Sequence, residues 1–429
     1  MNFRLYCIVL LKKIIYENMS IALATRKVRE KGFTAQDQSR LISLIYGVLR
    51  HYYSLDHKIN LYLKKKFRSK DKDIECVLLS MAYQLLHTNT PQYATISENV
   101  EIARSIKKPW ATRIINAIGR KILRDTPLAE LRLPDEALYE HPKWMIEMIK
   151  ADWPSLWKEI LIQNNVAPPF TIRTIKKNIV HLQYKKILEK KDIKFEQCVS
   201  SSKGLIIKDK IRAEELPMYL EGGFIVQDEG AQFASEIVAS GNKEKILDVC
   251  AAPGGKTCAL IDSLPPSVSL SAFDINENRL KLLKANLKRL KFSCEVHQVD
   301  ATDYNMLSDQ SFDLIILDAP CSSSGVIRRH PDIKIKKNLE SLSTTLKLQI
   351  QLLSNTWRFL AVGGELLYIT CSIFKKENDQ MIFRFLGRQK DASVIRLDEK
   401  WGFETKFGRQ ILPGTNNSDG FYYSKLRKT

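Results

Sequence analysis

The chain has 429 residues, of which 44% are hydrophobic and 27% charged, and this balance excludes a disordered or fibrous protein. Its net charge of +19 is unevenly distributed, because residues 1–124 carry 23 Lys and Arg side chains against nine Asp and Glu. Such a basic half favours a polyanionic partner, most often a nucleic acid, over a merely solubilising surface.

The eight cysteines include no CxxC pair and have no regular spacing, which indicates reduced thiols of a cytoplasmic protein rather than a disulfide framework or a zinc site. The apolar stretch 5–11 is broken by Lys12 and Lys13 and continues on one helical face, which predicts an amphipathic helix instead of a signal peptide. No segment approaches 18 apolar residues, so we expect no membrane partner. His297 and His330 are not accompanied by other residues of metal-binding type, so we expect no metal site. We also expect the protein to be a monomer.

Helical spacing of apolar residues predicts an all-helical domain over residues 1–125, with one helix starting near Thr95. Within it, the basic connector 64–73 is equally consistent with a solvated loop and an RNA contact. Prolines gather from about residue 127 onward, and alternating strand-like and helix-like stretches follow. This pattern predicts a linker and a small α+β module, which would also bind RNA, over residues 126–225.

Regular alternation of short apolar strands with helices begins at about residue 226. It predicts an α/β domain with a doubly wound, mostly parallel, Rossmann-like sheet over residues 226–429. Ligands of such sheets bind beyond the carboxyl ends of the strands. The motifs described next all lie at predicted strand ends.

A glycine-rich turn, CAAPGGKT, follows the first strand of this domain. It lacks the first glycine of a phosphate-binding loop, because Cys250 stands there, so a nucleoside triphosphate site is disfavoured. Asp274 ends the next strand, where it can accept hydrogen bonds from ribose hydroxyls, and Asp300 ends the third, near an expected adenine. A ribose without a phosphate cradle predicts S-adenosylmethionine rather than NAD.

Two cysteines, Cys321 and Cys371, each follow a further apolar strand. C5 of cytosine is too weak a nucleophile to take a methyl group directly, but a thiolate that adds at C6 activates it, and a base must later remove the C5 proton. Two thiols can supply both functions. Lys256 is a candidate positive neighbour of the thiolate, and Asp318 can hydrogen-bond the base ring or the cofactor amine. Alternatively, both cysteines could be small buried hydrophobic side chains without a chemical function. That interpretation is less consistent with the location of both cysteines at strand ends that flank one predicted cleft.

The blocks CAAPGGKT, DAPCSSSGVIRRHPDIK and YITCSIFKKEN resemble the signatures of the NOL1/NOP2/Sun family of RNA cytosine-C5 methyltransferases. FIVQDEGAQ resembles the segment leading into that family's methyltransferase domain, LPGTNNSDGFYYSKLRK resembles its closing hairpin, and the basic start resembles a NusB-like RNA-binding domain. The arrangement is similar to the bacterial 16S ribosomal-RNA branch. Ser323-Ser324 replaces a frequent Ala-Thr pair, and Lys375-Lys376 replaces a proline often found before Glu-Asn, which affects the expected local turn.

The resemblance implies a class I S-adenosylmethionine-dependent methyltransferase fold that acts on 16S ribosomal RNA. It implies Cys371 as the nucleophile and Cys321 as the base for product release. A tRNA cytosine-C5 methyltransferase remains an alternative, and a non-catalytic antitermination factor built on the NusB-like half is a third. The implied cofactor contacts are Cys250, Ala251, Ala252, Pro253, Gly254, Gly255, Lys256, Asp274, Asp300 and Asp318.

Overall fold

A computed structural model of the chain describes residues 3–125, 132–238, 243–303 and 311–429. Two compact units are present. One unit comprises Met1–Val166 with Ile327–Asn338, and the other comprises Ala167–Val326 with Leu339–Thr429. Part of the predicted linker, residues 126–131, lies outside the described residues, and the three-part division 1–125, 126–225 and 226–429 stays a prediction.

The first unit is helical, and its core forms where the apolar faces of the helices meet, for example at Leu11, Val48 and Leu78. Side-chain caps define helix starts: Ser20 Oγ accepts a hydrogen bond from a backbone N–H in the first turn of the helix Ile21–Glu30, and the Thr34 hydroxyl does the same for the helix Ala35–Arg50. The helices are α1 Phe3–Tyr16, α2 Ile21–Glu30, α3 Ala35–Arg50, α4 Tyr52–Asn60, α5 Lys72–His87, α6 Gln92–Ser105, α7 Thr112–Arg124, α8 Asp135–Tyr139, α9 Lys143–Asp152 and α10 Trp157–Gln163, followed much later in the chain by Ile333–Lys336 (α15).

The predicted helix start near Thr95 is wrong by three residues. Helix α6 begins at Gln92, directly after Pro91. Thr95 is fully buried, and its hydroxyl donates to the carbonyl of Pro91 at 3.0 Å. Pro91 is the N-cap residue and makes no side-chain cap hydrogen bond, so this helix begins without the polar cap that the sequence pattern suggested.

The second unit opens with a small antiparallel sheet whose strand order is β2-β3-β1-β4. Ile172 and Phe224 pack from this sheet against Tyr184 and Leu188 of one covering helix. The predicted α+β elements of this region are therefore present. They are β1 Phe170–Thr174, α11 His181–Lys190, β2 Phe195–Gln197, β3 Gly204–Ile207 and β4 Phe224–Val226.

The main sheet of the second unit has the order β11-β12-β13-β9-β8-β5-β6-β7, and β10 also pairs with β13. Strands β9, β8, β5, β6 and β7 are parallel. Strand β13 pairs antiparallel with β9, β12 and β10 pair antiparallel with β13, and β11 pairs antiparallel with β12. The elements are α12 Glu229–Val238, β5 Lys245–Val249, α13 Gly255–Ser263, β6 Ser269–Asp274, α14 Glu277–Leu290, β7 Glu295–Gln298, β8 Phe312–Asp318, α16 Leu339–Arg358, β9 Leu360–Thr370, α17 Asp379–Arg388, β10 Ala392–Ile395, β11 Phe403–Glu404, β12 Arg409–Ile411 and β13 Phe421–Lys428.

Helices cover both faces of this sheet, so its central strands are mostly apolar. Leu247 and Trp357 lie in the core on one face, and Ile246 and Leu283 lie in the core on the other. The parallel register pairs Val249 with Leu317, and Asp318 with Ile369. The carboxyl ends of β5, β8 and β9 therefore meet at one edge, which positions the candidate site. The predicted α/β fold is confirmed.

Candidate active site

The turn between β5 and α13 has an unusual backbone. Cys250 has a φ of +61°, and Gly254 has a φ of +96°. A Cβ atom on Gly254 would lie 2.9 Å from Cγ of Leu283, so both the backbone conformation and the space require glycine there. The backbone N–H of Ala251 donates to the carbonyl of Phe273 at 2.9 Å, which fixes the turn to the neighbouring strand β6.

Asp274 lies at the end of β6, beside this turn. Its Oδ2 accepts a hydrogen bond from the N–H of Ala252 at 3.2 Å and lies 3.3 Å from Nη1 of Arg279. Its Oδ1 accepts from the N–H of Asn276 at 2.9 Å. The predicted ribose acceptor is thus tied to the glycine-rich turn. Of its three partners, only the Arg279 side chain, half exposed, can move away without disturbing the backbone.

Asp318 ends β8 and forms an ion pair with Lys256, the two side-chain atoms being 2.7 Å apart. Burial, the largest single cause, lowers the pKa of Lys256, but Asp318, Cys371 and Asp248 together raise it by more, so the net shift is upward and the ammonium stays charged. Asp300, in contrast, is exposed. Its Oδ1 accepts two hydrogen bonds from Thr302, and these lower the pKa of the Asp300 carboxyl.

The two predicted thiols lie together at the carboxyl ends of β8 and β9. The Sγ atoms of Cys321 and Cys371 are 3.4 Å apart, and both side chains are partly buried. Ser323, at a φ of +60°, places its Oγ 3.5 Å from Cys371 Sγ. Two cysteines separated by 49 residues in the chain therefore form a single sulfur pair.

The surroundings of the two thiols shift their pKa values in opposite directions. The hydrogen bond from Cys321 lowers the pKa of Cys371, burial raises it, and Ser323 and Lys256 lower it again, with a net downward shift. The same hydrogen bond, with burial and the carboxylate of Glu377, raises the pKa of Cys321. Of the two thiols, Cys371 therefore loses its proton more readily, and a thiolate is the form of cysteine that attacks carbon.

Two carboxylates of this region were missed by the sequence analysis. Asp248 is fully buried in β5, burial raises its pKa to about 7, and it accepts a 2.6 Å hydrogen bond from Thr257, next to the glycine-rich turn. Its one signal was an acidic residue inside an apolar strand. Glu377 lies behind the sulfur pair and accepts hydrogen bonds from Ser322 and Ser372. In the sequence, Glu377 was noted only as part of the Glu-Asn pair that ends the block YITCSIFKKEN.

The histidine on β7 is not part of the contacts described for this site. His297 is exposed on β7, where it faces Glu295 at 3.6 Å. Over the ranges that the structure describes, no group of three His, Cys, Asp or Glu side chains is arranged to hold a metal ion. Across the same ranges, no helix combines the length and apolar character that crossing a bilayer requires.

Comparison with known proteins gives a consistent assignment along the chain. The NusB family model matches residues 2–124, a ferredoxin-like domain of RsmF/B-type methyltransferases matches residues 141–214, and the model of 16S rRNA methyltransferase RsmB/F matches residues 236–427. A probable ribosomal RNA small subunit methyltransferase B of Coxiella burnetii is 36% identical, with 100% of each chain covered. The chain belongs to the RsmB/F methyltransferase family.

Further relatives support the same family. The ribosomal RNA small subunit methyltransferase B of Pseudomonas syringae pv. tomato is 35% identical, over 94% of this chain and 90% of that protein. The crystal structure of PH0851 has the same fold, with a TM-score of 0.85 at 22% identity over 100% of this chain and 99% of that one. The predicted family, NusB-like start and methyltransferase class are thereby confirmed. The functions of individual site residues in this RsmB/F chain stay predictions.

Proposed function

We propose that the protein transfers a methyl group from S-adenosylmethionine to C5 of a cytidine in 16S ribosomal RNA. The observation that carries this proposal is the sulfur pair, with Cys321 and Cys371 3.4 Å apart beside the Lys256–Asp318 ion pair. The names of its RsmB/F relatives support ribosomal RNA as the substrate. The free state of all eight cysteines is consistent with work in the reducing cytoplasm.

The chemistry of the strand ends fits S-adenosylmethionine. Three carboxylates lie at the carboxyl ends of the parallel strands, Asp274 at the end of β6, Asp300 after β7 and Asp318 at the end of β8, and Asp248 is buried in β5, just before the glycine-rich turn. Such an acidic edge repels a polyphosphate but accepts hydrogen bonds from ribose hydroxyls and favours a positively charged centre. When bound, S-adenosylmethionine supplies an electrophilic methyl group on a cationic sulfur. Cys250 to Lys256, Asp274, Asp300 and Asp318 are the residues that would hold it.

The first step is the addition of the Cys371 thiolate to C6 of the cytosine. The hydrogen bond from Cys321 and the charge of Lys256 both favour the thiolate form before the base arrives. The new carbon–sulfur bond makes C5 enamine-like, and C5 can then accept the methyl group. Asp318, which lies between the sulfur pair and the cofactor turn in the order of the strands, orients Lys256 and can hydrogen-bond the base.

The second step is release, for which the C5 proton must leave. The largest cause of the raised pKa of Cys321 is its hydrogen bond to Cys371. Once Cys371 has become a thioether, that acceptor is no longer an anion, so the pKa of Cys321 falls. With its pKa lowered, Cys321 can release its own proton to solvent, and the resulting thiolate is the base that takes the C5 proton. The electron pair of the C5–H bond then forms the C5–C6 double bond, and Cys371 leaves C6 as a thiolate. The addition of Cys371 to C6 thus prepares Cys321 for the release of Cys371.

We further propose that the basic helical region, residues 1–125, and the module within 126–225 hold the RNA as a monomeric chain, while residues 226–429 carry the reaction. Lys64, Lys65 and Lys66 are exposed between α4 and α5 and form the densest cationic stretch of the helical region. Phosphate contacts by such side chains release condensed counterions. Affinity for RNA should therefore fall steeply as the salt concentration rises.

Replacing these three lysines by alanine should reduce the slope of log affinity against log salt concentration by about two, the value for three contacts to single-stranded RNA. Filter binding of 16S ribosomal RNA at several salt concentrations measures the slope. The control with the same charge change replaces Lys281, Lys284 and Lys288, which are exposed on α14. An equal loss of slope in both variants would show that charge alone, and not the 64–66 connector, determines binding.

Asp274→Ala should weaken S-adenosylmethionine binding by about 1.5–3 kcal/mol, the scale of a lost hydrogen bond to a charged group. Titration calorimetry of the full chain with S-adenosylmethionine measures this. Glu277→Ala is the matched control. Glu277 is an exposed carboxylate on the adjacent helix α14, where it forms an ion pair with Lys281. Unchanged affinity in Asp274→Ala would place the cofactor elsewhere.

The proposed reaction is tested by incubating the protein with labelled S-adenosylmethionine and either 16S ribosomal RNA or bulk tRNA. We expect label in 16S ribosomal RNA, and we expect it to be recovered as 5-methylcytidine after digestion to nucleosides. Bisulfite mapping of 16S ribosomal RNA with and without the protein then identifies the cytidine. Label confined to tRNA would support the tRNA alternative and overturn the substrate, whereas no transfer to either RNA would overturn the proposed activity.

A further inference from the structure

A buried carboxylate lies behind the sulfur pair. Glu377 is located between β9 and α17, and its side chain is 0% exposed. An ionised carboxylate in such a place costs free energy unless donors surround it. Burial raises the pKa of Glu377, and hydrogen bonds from Ser322 and Ser372 oppose that shift.

The donors to Glu377 come from both thiol-bearing loops. Its Oε1 accepts from the backbone N–H of Ser322 at 2.7 Å, and its Oε2 accepts from the Ser322 and Ser372 hydroxyls. Ser322 directly follows Cys321 in the chain, and Ser372 directly follows Cys371. One carboxylate therefore holds the two residues next to the two sulfur atoms.

Gln349 of α16 extends the same arrangement. Its Nε2 donates to Oε1 of Glu377 at 3.3 Å and to the carbonyl of Pro320, the residue before Cys321, at 2.9 Å. The hydroxyl of Tyr368 on β9 donates to the carbonyl of Glu377 at 2.7 Å and so fixes its backbone. Glu377 is thus anchored to the rigid sheet, and the Cys321 loop is anchored to Glu377.

Other hydrogen bonds also join the two loops. Ser372 Oγ lies 3.3 Å from Ser322 Oγ and 3.0 Å from Ser324 Oγ, and the N–H of Ile373 donates to Ser324 Oγ at 3.0 Å. The N–H of Gly325 donates to the carbonyl of Cys371 at 2.9 Å. A Cβ on Gly325 would lie 2.2 Å from the carbonyl oxygen of Gly420, so the chain passes here without room for a side chain. This contact lies four residues beyond Cys321, whereas the Glu377 contacts lie one residue beyond each cysteine.

We propose that Glu377 is a positioning residue that holds Cys321 and Cys371 at the separation at which one thiol shares its proton with the other. The inference rests on the proposed function, because it concerns the two thiols that the methyl transfer uses. Both carboxylate oxygens are needed, since four donors converge on them. A glutamine would place an NH₂ group against those donors and leave some of them unpaired.

The measurable consequence is the titration of Cys371. The groups facing it are Cys321, Asp318 and Lys256, and the charge of Glu377 acts on Cys321. If Glu377→Gln lets the two loops separate, Cys371 loses the hydrogen bond that is the largest cause of its lowered pKa. The midpoint of its alkylation by iodoacetamide against pH should then rise by about one unit.

The experiment uses the full chain, with the extent of alkylation of the Cys371 peptide read by mass spectrometry at each pH. Glu377→Gln should also lower kcat for methylation by about 10- to 100-fold, with KM for S-adenosylmethionine within about twofold of the unchanged protein. Asp379→Asn is the matched control. It converts a nearby carboxylate to an amide, but Asp379 accepts from Thr405 and Tyr422 rather than from the thiol loops, so it should leave the midpoint in place.

Ser372→Ala provides a second variant if Glu377→Gln does not fold, because it removes one donor and should shift the midpoint in the same direction by less. An unchanged midpoint in a folded Glu377→Gln protein, or an equal shift in Asp379→Asn, would overturn the positioning function. Alkylation requires neither RNA nor cofactor. A failure of the proposed reaction would therefore appear in the methylation assay while the alkylation result still decided the function of Glu377.

Discussion

Cys371→Ala should abolish methylation, with a loss of at least about three orders of magnitude in the rate of methyl transfer to RNA. Cys371 is the thiol whose pKa is lowered; its Sγ lies 3.4 Å from that of Cys321, and the charge of Lys256 contributes to the lowering. Without addition at C6, C5 stays too weak a nucleophile. Labelled S-adenosylmethionine with 16S ribosomal RNA measures the loss.

The matched control for this variant is Cys294→Ala, which removes a partly buried thiol just before β7, away from the sulfur pair. That protein should keep its rate within about twofold. Binding of S-adenosylmethionine should persist in Cys371→Ala, which shows that the fold is intact. Methylation that survives in Cys371→Ala would exclude Cys371 as the nucleophile.

Cys321→Ala should have the opposite signature: the protein should methylate about one RNA for each protein chain and then stop. Addition through Cys371 still takes place, although more slowly, because the hydrogen bond from Cys321 that lowers the pKa of Cys371 is lost. The C5 proton then has no base, and elimination stalls. A protein–RNA adduct that resists denaturant should accumulate only when S-adenosylmethionine is present.

A denaturing gel of four proteins tests this prediction: the unchanged protein, each single variant, and the double variant Cys321→Ala/Cys371→Ala. Only Cys321→Ala should retain RNA at high molecular mass. An adduct from Cys371→Ala with none from Cys321→Ala would exchange the two functions, as in DNA cytosine methylases, whose nucleophile is the thiol after the proline of the strand-four loop. It would leave the type of reaction unchanged.

The central strands could be predicted from the sequence because burial on both faces makes them continuous apolar runs, as in β5, β8 and β9. The segment 327–338 shows where such prediction ends. In the sequence it continues the Cys321 block, yet it belongs to the helical unit, where buried Lys334 donates to the carbonyl of Arg50 and to Asn165 Oδ1. Contacts across more than 150 residues leave no local pattern.

Some residues of the candidate site could be predicted from the sequence, and others could not. The locations of Cys321, Cys371 and Asp274 were predictable because each lies at or just beyond the end of a strand whose direction the parallel fold determines. Glu377 was not, because its importance depends on which donors converge on it once both loops are folded. Arg279 was not, because an exposed arginine in a helix gives no sign that it contacts the preceding strand end. Strand ends can be inferred from patterns, whereas the partners of a side chain cannot.

The most direct test of the two-thiol reaction is mass spectrometry of the adduct formed by Cys321→Ala with S-adenosylmethionine and 16S ribosomal RNA. After digestion with protease and nuclease, we expect one cross-linked species, in which the peptide containing Cys371 carries a cytidine heavier by one methyl group. That result would show both the nucleophile and the order of addition, methyl transfer and release. A cross-link at any other residue, or an unmethylated cytidine on Cys371, would contradict the mechanism.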